Sequence, residues 1–259
     1  MRNSTYSALF GALSNEMRMS SIANNLANVN TSAFKKDTLA FHDTFTRFAH
    51  DSLIDGKNHL RGKDLFPKAN VMAKPRLSAQ QTDFSQGSLQ ETGNQLDLAL
   101  SGEGFFKVQS GNGDVLYTRA GNFLPDSTGM LRTQDGNTVM VDGGPLTLPP
   151  GARVEVDPSG NVSINGNPAG SLDLVSFDDL AQVERLGANY YTVPEGTAEI
   201  PPEDITVQQG FLEKGNVDVV TEMVAMIETQ RAFTMYSKMI QTAHDTDQKL
   251  ITQVGRPTL

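Results

Sequence analysis

The side chains best suited to acid–base or metal chemistry are four histidines, His42, His50, His59 and His244. No two stand at metal-ligand spacing on a convincing helix, and three fall in a weakly patterned stretch, so they read as surface residues. Gly102-Glu103-Gly104 starts like a dinucleotide-binding loop. It lacks the third glycine and runs into Phe105-Phe106, a strand pattern, so it predicts a turn where backbones approach closely. The acidic stretches Asp126-Ser127-Thr128-Gly129 and Asp157-Pro158-Ser159-Gly160-Asn161 lack the alternating oxygen ligands and final glutamate of a calcium loop, and predict β-turns. There is no Gly-x-Ser-x-Gly elbow and no phosphate loop. With no cysteine, thiolate metal sites and disulfides are excluded. A carboxylate pair brought together only by folding is the one hydrolytic arrangement left open. The expectation is a protein that is not an enzyme and has no catalytic, cofactor-binding or metal residues.

The elements that position these residues fall into three regions. Near the N-terminus, Tyr6, Phe10, Leu13 and Met17 recur at helical steps, followed by Met19, Ile22, Leu26 and Val29. The asparagine-rich run beyond them predicts a helix stop at residues 30–32, with an asparagine in the left-handed conformation. Asn24 and Asn28 then share one helix face, where amides fix register between helices. Near the C-terminus, Val219, Met223, Met226, Phe233 and Ile240 form one stripe, with Val220, Val224, Ile227 and Met235 beside it. That helix should start near Asn216 or Asp218 and run to Val254, extending roughly 55 Å. Gln230, Ser237, His244 and Asp247 interrupt the stripe, which suits contact with several neighbours better than a simple two-stranded coil.

Between the arms, residues 84–210 carry short runs of alternating or β-branched residues separated by Gly, Pro, Asn and Asp, a small sandwich or irregular barrel. Residues 37–83 read as a connector, in which Phe41, Phe45 and Phe48 are spaced for a short amphipathic helix. The predicted fold is α+β, with terminal helices pairing in a coiled-coil-like assembly domain around a central all-β domain. Its divisions are 1–36, 37–83, 84–210 and 211–259.

The 259 residues are 38% hydrophobic, enough for a packed core, and the net charge is −9. Acidity is concentrated in residues 80–210, with 18 Asp+Glu against 5 Lys+Arg. This argues against a nucleic-acid partner and for a solvated outer surface. No run is long enough for a membrane span, and Ser7, Gly11 and Ser14 interrupt any signal-peptide core. Export, if it occurs, needs a route other than a cleaved signal.

Three motifs resemble the axial proteins of the bacterial flagellum, and among them the basal-body rod proteins. They are Ile22-Ala23-Asn24-Asn25-Leu26-Ala27-Asn28-Val29-Asn30-Thr31 with Phe34-Lys35, then 96–106 with 117–123, and then 210–213 with Asn216-Val217, Glu222-Met223 and 227–233. The resemblance implies a structural subunit whose terminal helices polymerise into a tubular drive shaft around the export channel. It implies as partners further copies, adjacent proximal-rod subunits, the distal-rod protein FlgG and, during secretion, the type III export apparatus. The Gly-x-Gly-Val element that usually marks the distal-rod insertion is not found, and residues 142–151 resemble the proximal subunit next to the distal segment. The assembly interface it implies comprises Tyr6, Leu13, Ile22, Asn24, Asn25, Leu26, Asn28, Val29 and Phe34 in the first arm, and Val220, Met223, Ile227, Gln230, Arg231 and Phe233 in the second. A rival is a secreted adhesin displaying the β-domain on coiled-coil ends, which a closed oligomer and a concave aromatic site would favour.

Overall fold

A computed structural model describes residues 2–47, 71–187, 189–194, 196–202 and 205–254. The chain forms two compact units. One holds Met1–Asn24, Thr38–Gln81 and Val220–Leu259, and the other Asn25–Asp37 and Thr82–Val219. The β-rich unit therefore extends past residues 84–210 and takes in a segment from the N-terminal side.

The first unit is built on α1 (Arg2–Ala27) and α2 (Val219–Val254), with strands β1 (Asp37–Arg47) and β2 (Val71–Thr82) paired with each other. Small residues line one side of α1, where Ala8 and Ala12 are buried and the Tyr236 ring of α2 lies against Gly11. A Cβ added at Gly11 would lie 2.6 Å from that ring, so glycine permits the approach. α2 begins one residue after Asp218, which holds the cap position. The Asn216 side chain is bound elsewhere.

Two expectations need correction here. The segment predicted as an amphipathic helix at Phe41 and Phe45 is strand β1; Phe48 lies outside the described residues. Leu39, Phe41 and Phe45 also satisfy a period of two, and Thr38, Thr44 and Thr46 among and beside them favour a strand. α1 ends at Ala27 in tight turns, with Asn28 N–H donating to Asn25 O, so Asn28 is not on a helix face with Asn24. The left-handed residue is Ala33, at φ 57°, and not an asparagine.

The second unit continues with β3 (Leu89–Glu91), β4 (Leu98–Ser101), β5 (Phe105–Gln109), β6 (Val115–Thr118), β7 (Leu124–Pro125), β8 (Leu131–Arg132), β9 (Thr138–Val141) and β10 (Gly144–Pro145). It is completed by β11 (Val154–Val156), β12 (Asn161–Ile164), β13 (Asn167–Ser171), β14 (Leu174–Val175), β15 (Glu184–Arg185), β16 (Tyr190–Thr192), β17 (Thr206–Gln209) and β18 (Phe211–Glu213). The main sheet follows the path β15-β16-β6-β5-β9-β8-β7, with β10 on β9 and β14 on β5. Its two ends do not meet, so this sheet is not a closed barrel. β11-β12-β13, β17-β4 and β18-β3 form smaller antiparallel groups. Residues 146–148 contribute only a bridge from Thr147 to Met130, and Leu180–Gln182 form a 3-10 turn in which the Asp179 carboxylate accepts from Ala181 N–H.

β5 explains why this unit has two cores. Adjacent strand residues point to opposite faces, and Phe105 and Phe106 are both buried. Phe106 and Val108 pack with Leu98, Leu100, Phe123 and Val139, while Phe105 packs with Tyr117, Val175, Phe177 and Tyr191.

One turn design recurs four times. Ser110, Asp126, Thr133 and Asp157 each accept from the N–H of a glycine three positions on and donate to the carbonyl four positions on. The glycines, at 113, 129, 136 and 160, have φ of 84° to 93°, a conformation that side chains disfavour. Asp126 and Asp157 spend their carboxylates on the turn. Asp126 Oδ1 accepts from Thr128 and Met130 N–H, and Asp157 Oδ1 from Ser159 and Asn161 N–H. These bonds, with those from the Thr128 hydroxyl and the Asn161 amide foremost, hold both carboxyls below the usual range. They are β-turns, as predicted.

At Gly104, where the motif predicts close backbone approach, an added Cβ would lie 2.9 Å from Val175 O and 2.1 Å from the end of the Ile205 side chain. Gly121 is tighter still, 1.7 Å from the carbonyl oxygen of Leu98. Gly121→Ala is expected to lower stability by about 3 kcal/mol, because backbone, not a mobile side-chain end, must move. A thermal unfolding curve checks it, and an unshifted midpoint would contradict the packing.

Candidate functional site

Residues 25–37 and 213–219 carry the outlet of α1 and the inlet of α2, and within the β-rich unit they are laced together. Ala33 N–H donates to Glu213 O (2.7 Å), Asn216 N–H to Phe34 O (3.1 Å) and Lys36 N–H to Asn216 Oδ1 (2.7 Å). The Asn216 amide also donates to Asp83 O and Ser85 O. Asn25 Oδ1 accepts from Asp37 N–H and its Nδ2 donates to Asp37 O, so one buried amide closes the segment on itself. Arg185 clamps the far side. Its guanidinium lies 4.8 Å from the Phe34 ring centroid, pairs with Asp37 at 2.8 Å and donates to Lys35 O.

Inside this lacing is a buried charge cluster. Lys35, Arg119 and Glu213 are each at most 3% exposed. Lys35 Nζ donates to Glu213 Oε1 (2.6 Å) and Ser85 O (2.8 Å), and Gly87 N–H donates to the same Oε1 (2.8 Å). Arg119 Nη1 faces Glu213 Oε2 at 3.5 Å, an ion pair without hydrogen-bond geometry, while Nη2 donates to Gly102 O. Burial pushes both the lysine and the arginine below their ordinary values, and Glu213 opposes that in each case. Two buried cations thus share one carboxylate.

The helices offer a different surface. On α1, Tyr6, Leu9, Leu13 and Met17 are 40–53% exposed at steps of three, four and four. On α2, Met223, Ile227, Met235 and Met239 are 49–65% exposed in a row at multiples of four, with exposed Arg231 in the gap and Val220 and Val224 alongside. Scattered surface apolar residues need no explanation; these are ordered in rows along two long helices.

Two family models match: the flagellar basal body rod FlgEFG protein C-terminal model over residues 208–253, and the flagellar hook protein FlgE/F/G D1 domain model over residues 99–164. The flagellar basal-body rod protein FlgF of Caulobacter vibrioides is 33% identical over 258 residues, 99% of each chain. The chain belongs to the FlgF/FlgG family of flagellar basal-body rod proteins. FlgG of Bacillus subtilis is 33% identical over 97% of this chain and 98% of its own. FlgG of Agrobacterium fabrum is 34% identical over 86% and 88%. This rod-family chain is therefore a structural protein and not an enzyme. Among its described residues no three His, Cys, Asp or Glu gather as metal ligands, and no helix is long and apolar enough to cross a membrane.

The structure sorts the rod protein's sequence-predicted interface residues into two groups. Tyr6, Leu13, Asn24, Val220, Met223, Ile227, Gln230 and Arg231 are exposed, and Leu26, Asn28, Val29 and Phe233 are partly so. Ile22, Asn25 and Phe34 are buried within the chain, where Asn25 and Phe34 serve the lacing. Of the histidines, His244 is exposed, with Gln248 Nε2 at 3.4 Å; His50 and His59 lie outside the described residues. Lys35, Arg119 and Glu213 belong to three separate motifs of the sequence, none of which gives its charged residue a role by itself. Their shared signal is that each motif carries a charge beside buried aromatic or apolar residues.

Proposed function

We propose that this chain is the proximal-rod subunit FlgF, polymerising through α1 and α2 into the tube that transmits torque and encloses the export channel. The observation that carries the assembly part is the pair of ordered apolar rows that the chain leaves uncovered on both helices. Further copies and neighbouring rod proteins, FlgG included, supply the missing cover, in coiled-coil-like packing that gives arms of this kind their final order. The interface comprises the exposed and half-exposed residues named above, while the β-rich unit, an irregular sandwich, faces outward with its acidic surface in water. Export proceeds unfolded through the flagellar type III apparatus.

The choice of FlgF over FlgG rests on two features. The chain lacks a Gly-x-Gly-Val element, and residues 142–151 resemble the FlgF pattern; identity and coverage do not separate the two, since the Bacillus FlgG is as similar as the Caulobacter FlgF. Complementation decides it. Expressed in a strain lacking its FlgF, the chain should restore swimming, and in an otherwise equal strain lacking FlgG it should not. The reverse pattern would assign it to the distal rod, and a soluble closed oligomer with no effect on either strain would favour the adhesin reading.

A further inference from the structure

Three of the four residues in the exposed row of α2 are methionines: Met223 at 50% exposure, Met235 at 65% and Met239 at 56%, with Ile227 the fourth. Among the other methionines whose side chains are described, Met19 and Met226 on the helices and Met130 and Met140 in the β-rich unit are only partly exposed, and Met17 ends the row on α1. The most open sulfurs therefore stand on the row that would meet neighbouring subunits. An unbranched thioether adapts to neighbours of different shape, which suits a surface with several partners. It is also the only side-chain sulfur that this cysteine-free chain offers to an oxidant, so no thiol competes for the reaction.

We propose that the methionine row of α2 is an oxidation site through which hydrogen peroxide decides whether a free subunit can join a polymer. The sulfur lone pair attacks one peroxide oxygen, an S–O bond forms and the O–O bond breaks. The proton of the attacked oxygen passes to the departing hydroxide, which leaves as water; the sulfur has lost two electrons and the peroxide has gained them. The sulfoxide is polar and accepts hydrogen bonds. Water supplies those donors on the free subunit, which stays folded. Against the apolar side chains of a neighbour they are missing, and the contact is lost. A subunit already joined has the row covered, so peroxide acts on the supply of subunits and spares finished rods. Methionine sulfoxide reductases of the two epimer classes reverse the change. Loss of joining follows only if the helices are assembly arms, so the inference rests on that reading.

Peptide masses of the full chain treated with dilute hydrogen peroxide should show Met223, Met235 and Met239 oxidised at least about threefold faster than Met130 and Met140, with the unfolding midpoint unmoved. In rods isolated from cells, the same treatment should oxidise the row at least about tenfold more slowly than in the free chain. Equal rates in rods and free chain would overturn the proposal, as would a row no faster than Met130 and Met140. Glutamine approximates the sulfoxide in length and polarity, and Ile227→Asp is the control on the same row. In a strain lacking this chain, the triple variant Met223→Gln, Met235→Gln, Met239→Gln should keep the monomer's midpoint and cut the number of rods at least about tenfold. A collapsed midpoint would make the row part of the monomer's core and sink the proposal. If the glutamine variant assembles while Ile227→Asp does not, the assembly reading stands and the oxidation site is wrong. If both assemble, the assembly reading falls and the oxidation site falls with it.

Discussion

Replacing Glu213 by alanine is expected to destabilise the β-rich unit by about 3–5 kcal/mol, the range for a buried ion pair stripped of one partner. The carboxylate takes a hydrogen bond from Lys35 and another from Gly87 N–H, and it faces Arg119. Without it, two cations repel each other where water does not reach, and Gly87 N–H loses its acceptor. The effect should exceed that of any exposed substitution, which stays within about 0.5 kcal/mol. The chain has no tryptophan and five tyrosines, of which Tyr117, Tyr190 and Tyr191 are buried in this unit, so tyrosine fluorescence follows its unfolding directly. In urea the midpoint should fall by roughly 1.5–2.5 M at an m-value near 2 kcal/mol/M. Glu213→Gln, which keeps an acceptor for Gly87, should fall less. An unchanged midpoint for the alanine variant would mean that the cluster is wet and weak in solution.

Aspartate at Leu13 or Ile227 should have the opposite profile: no loss of monomer stability, and loss of the rod. Both side chains are nearly half exposed in the free chain, so the monomer's urea midpoint should stay within about 0.5 kcal/mol of the parent. On assembly each would be covered by a neighbour. Losing a packed leucine or isoleucine costs about 2–5 kcal/mol per site, and an unpaired charge adds to it. Every subunit repeats that cost, so cells carrying either variant should be non-motile and lack rods beyond this subunit. Complete rods in electron micrographs of both variants would remove the helices from the assembly mechanism.

The helices were legible because nothing competes with a 3.6-residue period over 26 and 36 residues. Several strands were legible too, since Thr138–Val141 and Val154–Val156 stand between turn residues that punctuate them. β1 was not, because phenylalanines spaced four apart fit both a helix and every second pair of strand positions, and a propensity for strand at threonine had to break the tie. The left-handed turn at Ala33 was hidden for a different reason: its conformation is imposed by the bond from its own N–H to Glu213 O, 180 positions away. The charge cluster shows the same limit. A lysine beside a second lysine and an aspartate reads as surface, and only the folded chain places Lys35 inside and leaves Lys36 about one-third exposed. Local periodicity sets the elements, while non-local contacts decide which charges are buried.

The repeated turns and the lacing also differ in how soon they can form. Each turn closes over four positions, and small loops of this kind close within microseconds. Lys35 meets Glu213 across 178 positions, Asn189 meets Ser32 across 157, and Arg185 meets Asp37 across 148. Contacts with such loop-closure entropy are the slow ones, and they gain nothing until the surfaces they join exist. The hairpins must therefore be in place before the knot is tied, and the two helix ends are held apart until then. On the assembly reading proposed above, a chain caught half-folded has no tied helix ends to offer a growing polymer, and the order of folding itself would keep unfinished subunits out of the rod.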